Sequence, residues 1–153
     1  MTPCSREFSV RQARLSDLPS LMEIEAQCFP EETAFPQGMF VFLIRNARTL
    51  VAFKHTGEVA GFIIGYPSGR TGIIYTLDVA PIFRRRGLAT LLLSSLEVEL
   101  GRCGARRFRL EAARDDPVAR HLYRQAGYVE KEALRDYYGP GRWAVRMWKE
   151  ALP

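Results

Sequence analysis

The chain has 153 residues, of which 47% are apolar and 25% charged, and its formal net charge is +5 at pH 7. These fractions are those of an ordinary globular protein, and the length predicts one domain over residues 1–153 with a proper core. No apolar run is long enough to cross a bilayer, which excludes a membrane-spanning helix. Arginine supplies most of the positive charge, which suits either a nucleic-acid binder or, more simply, a solvated surface.

The cysteines favour a reducing compartment. Cys4, Cys28 and Cys103 are scattered and odd in number, so they form neither a disulfide framework nor a metal-ligand spacing. With only His55 and His121 beside them, no metal site is predicted. The first residues lack the apolar core of a signal peptide, and we therefore expect a cytoplasmic protein.

The first half of the chain alternates between strand and helix patterns. Ser16 and Asp17 are placed to cap a helix that ends near Cys28. Pro30 and Pro36 bracket a loop, because a residue before proline resists the helical region. The predicted elements are a strand over 8–13, a helix over 18–28, a short buried helix over 39–44 and strands over 50–54, 59–66 and 72–79.

The second half repeats a strand–helix order. Asp115 or Asp116 is expected to cap its last helix, and Gly127 to end it. The predicted elements are a helix from Gly87 to Gly101 or Gly104, a strand over 107–112, a helix over 117–126 and strands over 128–134 and 144–148 around the loop 136–141. Antiparallel strands followed by a β-α-β-α-β order predict an α/β sandwich with a mixed central sheet.

The most informative segment is 79–90, which leads from a strand through a basic loop into a helix. A helix N-terminus carries unpaired N–H groups and about half a positive charge. Arg84, Arg85 and Arg86 add full charges, and Gly87 and Ala89 keep side chains away from a bulky anion. The segment therefore predicts a backbone cradle for a diphosphate.

Arg84-x-x-Gly87-x-Ala89 matches the signature of the GCN5-related N-acetyltransferases (GNAT), and the segment 110–128 resembles a second block of that family. The two blocks are separated as in the RimI-like protein N-alpha-acetyltransferases. The resemblance runs from about Phe8 to the C-terminus and is specific between Thr76 and Tyr128. It implies a single-domain α/β fold with a mixed, mostly antiparallel sheet, splayed parallel strands and helices on both faces. It also implies acetyl-CoA as co-substrate and no metal.

The same resemblance implies where the cofactor binds. The strand end at Leu77, Asp78 and Val79 would pair with the pantetheine arm and hold the thioester carbonyl. Asp116 stands where the family has an asparagine that contacts the pantetheine, and an ionised aspartate can only accept hydrogen bonds; Asp116 is equally well explained as a helix cap. The phosphate-binding positions correspond to Arg84, Arg85, Arg86, Gly87, Leu88, Ala89 and Thr90.

Two side chains are candidates for proton transfer. Glu111 matches the glutamate that RimI-like enzymes use as proton acceptor, and its alternative role is an ion pair with Arg109, Arg114 or another arginine. Tyr123 lies one helical turn after Ala119, where its hydroxyl could protonate the leaving thiolate. Its alternative role is that of a core aromatic residue.

A protein N-terminus is the favoured acceptor, conceivably that of a ribosomal protein. The pKa of an α-amino group is about 7.7–8.0 and that of lysine about 10.4, so one weak base suits the former better. Phe29 and Pro30 in the first inter-helix loop, and Tyr137 and Tyr138 in the last hairpin, resemble the two peptide-gripping loops of such enzymes. Tyr137 and Tyr138 could instead form a packed turn.

The alternatives are a small amine, such as a polyamine or aminoglycoside, and an RNA-associated module that acetylates aminoacyl-tRNA. Direct nucleic-acid binding is not favoured, and either a monomer or a homodimer is compatible with the sequence. An acidic acceptor cleft would favour a polycation, whereas strongly salt-dependent RNA binding would favour the nucleic-acid alternative.

Overall fold

The computed structural model describes residues 7–151, which form a seven-stranded sheet with helices on both faces. Short 3₁₀ turns at Leu15–Asp17 and Pro81–Phe83 precede the first and third helices. The strands are β1 Phe8–Gln12, β2 Arg48–Lys54, β3 Val59–Ser68, β4 Thr71–Val79, β5 Arg107–Ala113, β6 Val129–Leu134 and β7 Ala144–Glu150. The helices are α1 Leu18–Cys28, α2 Gln37–Asn46, α3 Leu88–Arg102 and α4 Pro117–Gln125.

The sheet is mixed, in the order β1-β2-β3-β4-β5-β7-β6, and its one parallel pair lies at the centre. Strands β4 and β5 pair only from Thr71↔Arg107 to Ile73↔Arg109. Beyond those residues both strands continue, but each pairs only with its outer neighbour. The predicted mixed sheet with splayed parallel strands is therefore confirmed.

A β-bulge lies where β4 leaves β5. Ile64 pairs with Thr76 while the next residue, Gly65, pairs with Ile74, so Tyr75 is the extra residue on β4. A bulge bends its strand and increases the local twist. Because it follows directly on the last parallel pair, the bulge turns β4 away from β5 and opens the sheet into a cleft.

The two faces of the sheet are covered unequally. On one face α3 packs so closely that a Cβ on Gly61 would meet Leu92 and one on Gly65 would meet Leu96. On the other face α2 places Phe40 edge-on against Phe62. Strand β5 alternates buried and half-buried residues, so beyond the splay its second face is open to solvent.

Two local predictions need correction. Asp17 is the N-cap residue of α1, as predicted, but its side chain makes no capping bond; its carboxylate pairs with Arg11 at 2.8 Å and accepts the Arg14 N–H at 2.7 Å. The second helix is not a short buried one, since it runs over Gln37–Asn46 and leaves Phe42 58% exposed. The apolar residues 39–44 lie on all sides of this helix, whereas the sheet can bury only one side, so some of them stay exposed.

Within residues 7–151, no helix has the length and apolar character needed to cross a membrane. The same described range contains no group of three or more metal-ligating side chains. Cys28 and Cys103 are free thiols, whereas Cys4 lies outside the described residues.

Candidate active site

The loop before α3 has the backbone of an anion cradle. Arg85 and Gly87 adopt left-handed conformations, with φ of 64° and 80°. The N–H of Leu91 makes the first bond of the helix, to the carbonyl of Gly87, and no side chain caps the end. The N–H groups of the three preceding residues, Leu88, Ala89 and Thr90, are therefore the free donors of the helix N-terminus.

The three arginines of this loop differ in what they contact. Arg84 turns back to the strand, where its Nε donates to the Val79 carbonyl at 3.2 Å and its Nη2 to the Cys28 thiol at 3.4 Å. Arg86 pairs with Glu7 at 2.6 Å. No such partner is recorded for Arg85 within residues 7–151. Arg84 and Arg86 thus hold the loop in shape, and Arg85 is the arginine most available to an anion.

The strand leading to this loop ends in Leu77, Asp78 and Val79, beyond the last contact of β4 with β5. The carbonyl of Val79 already accepts from Arg84. Asp78 is unexpectedly buried, only 2% exposed, and burial together with the neighbouring Glu25 carboxyl raises the pKa of Asp78 to about 8. Its side chain lies on the α1 face rather than towards β5, since it contacts Glu25 of α1.

Glu111 lies on the open face of β5, where it meets two cations. Its Oε2 is 2.9 Å from Arg146 Nε and 3.3 Å from Arg109 Nε, and the Glu111 side chain is 10% exposed. Its second oxygen, Oε1, accepts the Tyr137 hydroxyl at 3.3 Å. Glu111 thus forms the ion pair with arginine that the sequence offered as its alternative role. Its other carboxylate oxygen still faces Tyr137, in the hairpin between β6 and β7.

Tyr123 projects from α4 and packs edge-on against Tyr128, with ring centroids 6.2 Å apart. Among the described residues its hydroxyl has no recorded hydrogen-bond partner. Burial, reinforced by Tyr138, Asp116 and Asp78, raises the pKa of Tyr123. Its raised pKa makes this hydroxyl a weaker acid than a free tyrosine, but it keeps the hydroxyl protonated and so able to donate a hydrogen bond to a thiolate.

Asp116 is the N-cap of α4, because its Oδ1 accepts the Ala119 N–H at 3.0 Å. This cap resolves the sequence alternative between Asp115 and Asp116. Because the Asp116 carboxylate already caps α4, the aspartate at this position is explained without a contact to the pantetheine.

The hairpin between β6 and β7 presents two tyrosines to solvent. Asp136, in the left-handed region at φ 53°, closes the turn by accepting the Gly141 N–H at 2.7 Å. Tyr137 and Tyr138 stand at right angles, with centroids 4.9 Å apart, and are 48% and 40% exposed. The two rings therefore pack on each other in the turn while each keeps close to half of its surface exposed, and Tyr137 connects the hairpin to Glu111.

The first inter-helix loop is held between α1 and β4. Phe29 is 41% exposed, and the carbonyl of Pro30 accepts the N–H groups of Thr33 and Ala34. At its far end the Phe35 ring stacks on the bulge residue Tyr75, with centroids 5.6 Å apart. The residues predicted to grip an acceptor thus lie on two separate loops, one joined to β4 and one to β5.

Several residues of this site were not predicted from the sequence. Arg146 and Glu25 come from β7 and α1, far along the chain from the residues they contact. Arg146 was detectable only as an unnamed arginine partner for Glu111. A glutamate on the apolar side of α1 was the one signal that could have singled out Glu25.

Comparisons with known proteins agree with this architecture. An N-alpha-acetyltransferase of Sulfurisphaera tokodaii is 26% identical over 93% of this chain and 92% of its own length. The structure of Ard1 from Thermoplasma volcanium is 25% identical, covers 96% of this chain and 99% of its own, and superposes with a TM-score of 0.86. A ribosomal-protein-alanine N-acetyltransferase from Brucella melitensis, 20% identical over 94% of this chain and 99% of its own, shares the fold with a TM-score of 0.81.

The model of the acetyltransferase (GNAT) family matches residues 18–128, which include the splayed strands, the loop before α3 and both candidate proton-transfer residues. GNAT enzymes use acetyl-CoA, and the free N–H groups at the start of α3 fit its diphosphate. This chain therefore belongs to the GNAT family of N-acetyltransferases.

Proposed function

We propose that this enzyme transfers the acetyl group of acetyl-CoA to the α-amino group of a protein N-terminus, by direct transfer in a ternary complex. The diphosphate binds at 84–90, the pantetheine lies between the splayed halves of β4 and β5, and the peptide enters between the two loops. The proposed working form is a single catalytic domain in the cytoplasm, as a monomer or a homodimer.

The observation that carries this proposal is the hydrogen bond from Tyr137 to Glu111. It joins the exposed hairpin to the carboxylate next to which the acceptor amine would bind. Tyrosine rings offer both contact area and a hydroxyl to an extended peptide. Phe29, in the loop between α1 and α2, provides a second exposed ring.

The chemistry assigned to the side chains is limited to two proton movements. Glu111 accepts the proton of the attacking amine, directly or through one water, and Arg109 and Arg146 hold its carboxylate in place. Tyr123 donates the proton of its hydroxyl to the departing thiolate. Alignment of the two substrates supplies the larger part of the acceleration, which for well-oriented reactants is about 7–11 kcal/mol.

The charge of the cleft argues against a polycationic acceptor. The carboxylate of Glu111 is balanced by two guanidiniums, so the open face of β5 is not acidic. The Sulfurisphaera relative, an N-alpha-acetyltransferase, supports an α-amine acceptor, and the ribosomal-protein-alanine N-acetyltransferase of Brucella melitensis makes a ribosomal protein a candidate substrate.

The test is a comparison of acceptors in wild type and Tyr138→Ala. We expect a short peptide to be acetylated in preference to spermidine, and Tyr138→Ala to raise the peptide KM with less change in kcat, since it removes uniform binding. Spermidine kinetics should not change, because spermidine is too short to reach the hairpin. Tyr66→Ala, an exposed tyrosine on β3, is the control. A preference for spermidine together with unchanged peptide kinetics in Tyr138→Ala would refute the proposal.

A further inference from the structure

Two carboxyl groups meet inside the protein with too few donors for both to be ionised. Glu25 and Asp78 are each 2% exposed, and their carboxyl groups lie within hydrogen-bonding reach of each other. Glu25 Oε2 accepts the Phe35 N–H at 2.9 Å, and Asp78 Oδ1 accepts the Thr76 hydroxyl at 3.1 Å. The two remaining oxygens, Glu25 Oε1 and Asp78 Oδ2, are buried, and within residues 7–151 no donor reaches them.

A single proton placed between these two oxygens satisfies both. Two ionised carboxylates in contact repel each other and lose their hydration, whereas one carboxyl can donate to the other. Each member of the pair is attached to a different part of the site. Asp78 belongs to β4, and Glu25 holds the backbone of Phe35, whose ring stacks on Tyr75.

We propose that Glu25 and Asp78 share one proton and thereby act as a clasp that positions the inter-helix loop 29–36 against β4 for the acceptor. The role of this loop in acceptor binding rests on the function proposed above. Both side chains are positioning groups, because they act through the Phe35 backbone, and towards acetyl-CoA Asp78 would offer only its main chain on the splayed part of β4. Loss of the shared proton to solvent leaves two facing carboxylates, which separate and release the loop.

The surroundings of the clasp set when this occurs. On α1 the neighbouring titratable group is Cys28, the pKa of whose thiol is raised by burial and by Asp78. Arg84, from the loop after β4, acts in the opposite sense on Asp78, and Tyr123 faces it from α4. The neighbours from α2 and β3, Phe40 and Phe62, are apolar. Because burial and Glu25 raise the pKa of Asp78 to about 8, the clasp opens near that pH.

The first experiment follows the clasp without any substrate. In the full chain labelled with carbon-13, we expect the Asp78 carboxyl resonance to titrate near pH 8. Amide hydrogen exchange of Phe35 should accelerate above that pH relative to Asp78→Asn, in which the amide donates to Glu25 at every pH. The ratio of the Phe35 exchange rates in the two proteins at each pH removes the intrinsic pH dependence of exchange. Titration of Asp78 near pH 4, or equal Phe35 exchange in both proteins, would overturn the clasp.

The second experiment tests the positioning role through the acceptor. Between pH 7 and 9 the peptide KM of wild type should rise about tenfold relative to that of Asp78→Asn, the effect of losing one hydrogen bond to a charged group. The protonation of the peptide amine is common to both proteins and cancels in the ratio. Glu23→Gln changes the same charge at an exposed site on α1 and should behave as wild type.

A KM ratio that stays constant with pH would overturn the positioning role. A protein that acetylates spermidine rather than peptides would instead refute the proposed acceptor. In that case the carbon-13 titration and the Phe35 exchange would still decide whether the clasp exists, so the two failures are distinguishable.

Discussion

The two strands that part to form the cleft each carry a carboxylate near their ends, in opposite surroundings. Glu111 on β5 lies on an open face between Arg109 and Arg146. Asp78 on β4 lies beneath α1 beside a second carboxyl, with Arg84 as its nearest opposing charge. Two carboxylates near the ends of neighbouring strands are thus suited to different roles. Glu111 can receive a proton from the substrate, whereas Asp78 can keep a proton that holds the loop 29–36.

Removing the carboxylate of β5 has the largest expected effect. Glu111→Gln keeps the size of the side chain but cannot accept a proton, and we expect kcat to fall by about 10²–10⁴-fold with CoA binding retained. The loss should shrink as pH rises, because the amine then deprotonates without help. Glu132→Gln is the matched control, since Glu132 also approaches Arg146, at 3.9 Å, but is 49% exposed. A loss of kcat that is independent of pH and parallels a lower melting temperature would identify Glu111 as structural only.

The two carboxylates have the roles compared above only if the cofactor binds between β4 and β5. A substitution in the loop 84–90 tests where the cofactor binds. Gly87→Glu places a carboxylate at the proposed diphosphate site, and we expect calorimetry to show CoA binding weakened at least about tenfold through loss of charge-assisted hydrogen bonds. Since Gly87 has φ 80°, any side chain strains it, and Gly87→Ala reports that strain alone. Equal CoA affinity in folded Gly87→Glu and wild type would remove the phosphate-loop assignment.

The Asp78 carboxyl on β4 should affect the free energy of unfolding rather than the chemical step. Its pKa is raised above that of the unfolded chain, so the folded state holds an extra proton between about pH 4 and 8. Over this range wild type should lose up to about 1.4 kcal/mol of unfolding free energy per pH unit relative to Asp78→Asn, with the full stability present below pH 4 and the difference constant above pH 8. Urea unfolding at pH 5, 6.5, 8 and 9 measures it. Parallel curves for the two proteins would mean that Asp78 titrates as it does when unfolded.

Much of this fold could be predicted from local patterns in the sequence. The strands and helices were recognisable because apolar periodicity, Pro117 and the glycines that end helices act within a few residues. The backbone of the loop before α3 was equally local, since free N–H groups need only Gly87 and the helix that follows, and its binding of a diphosphate stays a prediction. Of the loop arginines, however, Arg84 and Arg86 turned out to be bound to the protein, to Val79, Cys28 and Glu7.

What the sequence determined by itself is the order of elements, the glycine-containing loop before α3 and the types of side chain at the strand ends. Only the tertiary structure decided how each carboxylate behaves. Arg109, a neighbour of Glu111 on β5, was foreseen from the sequence, but the other partners of Glu111 come from β7 and the last hairpin. The partner of Asp78 comes from α1, which lies more than fifty residues earlier in the chain. Local residue patterns do not reveal such contacts. The electrostatic environment of a buried group depends on whatever the folded chain packs against it, and for that reason one carboxylate faces arginines and the other faces a carboxyl.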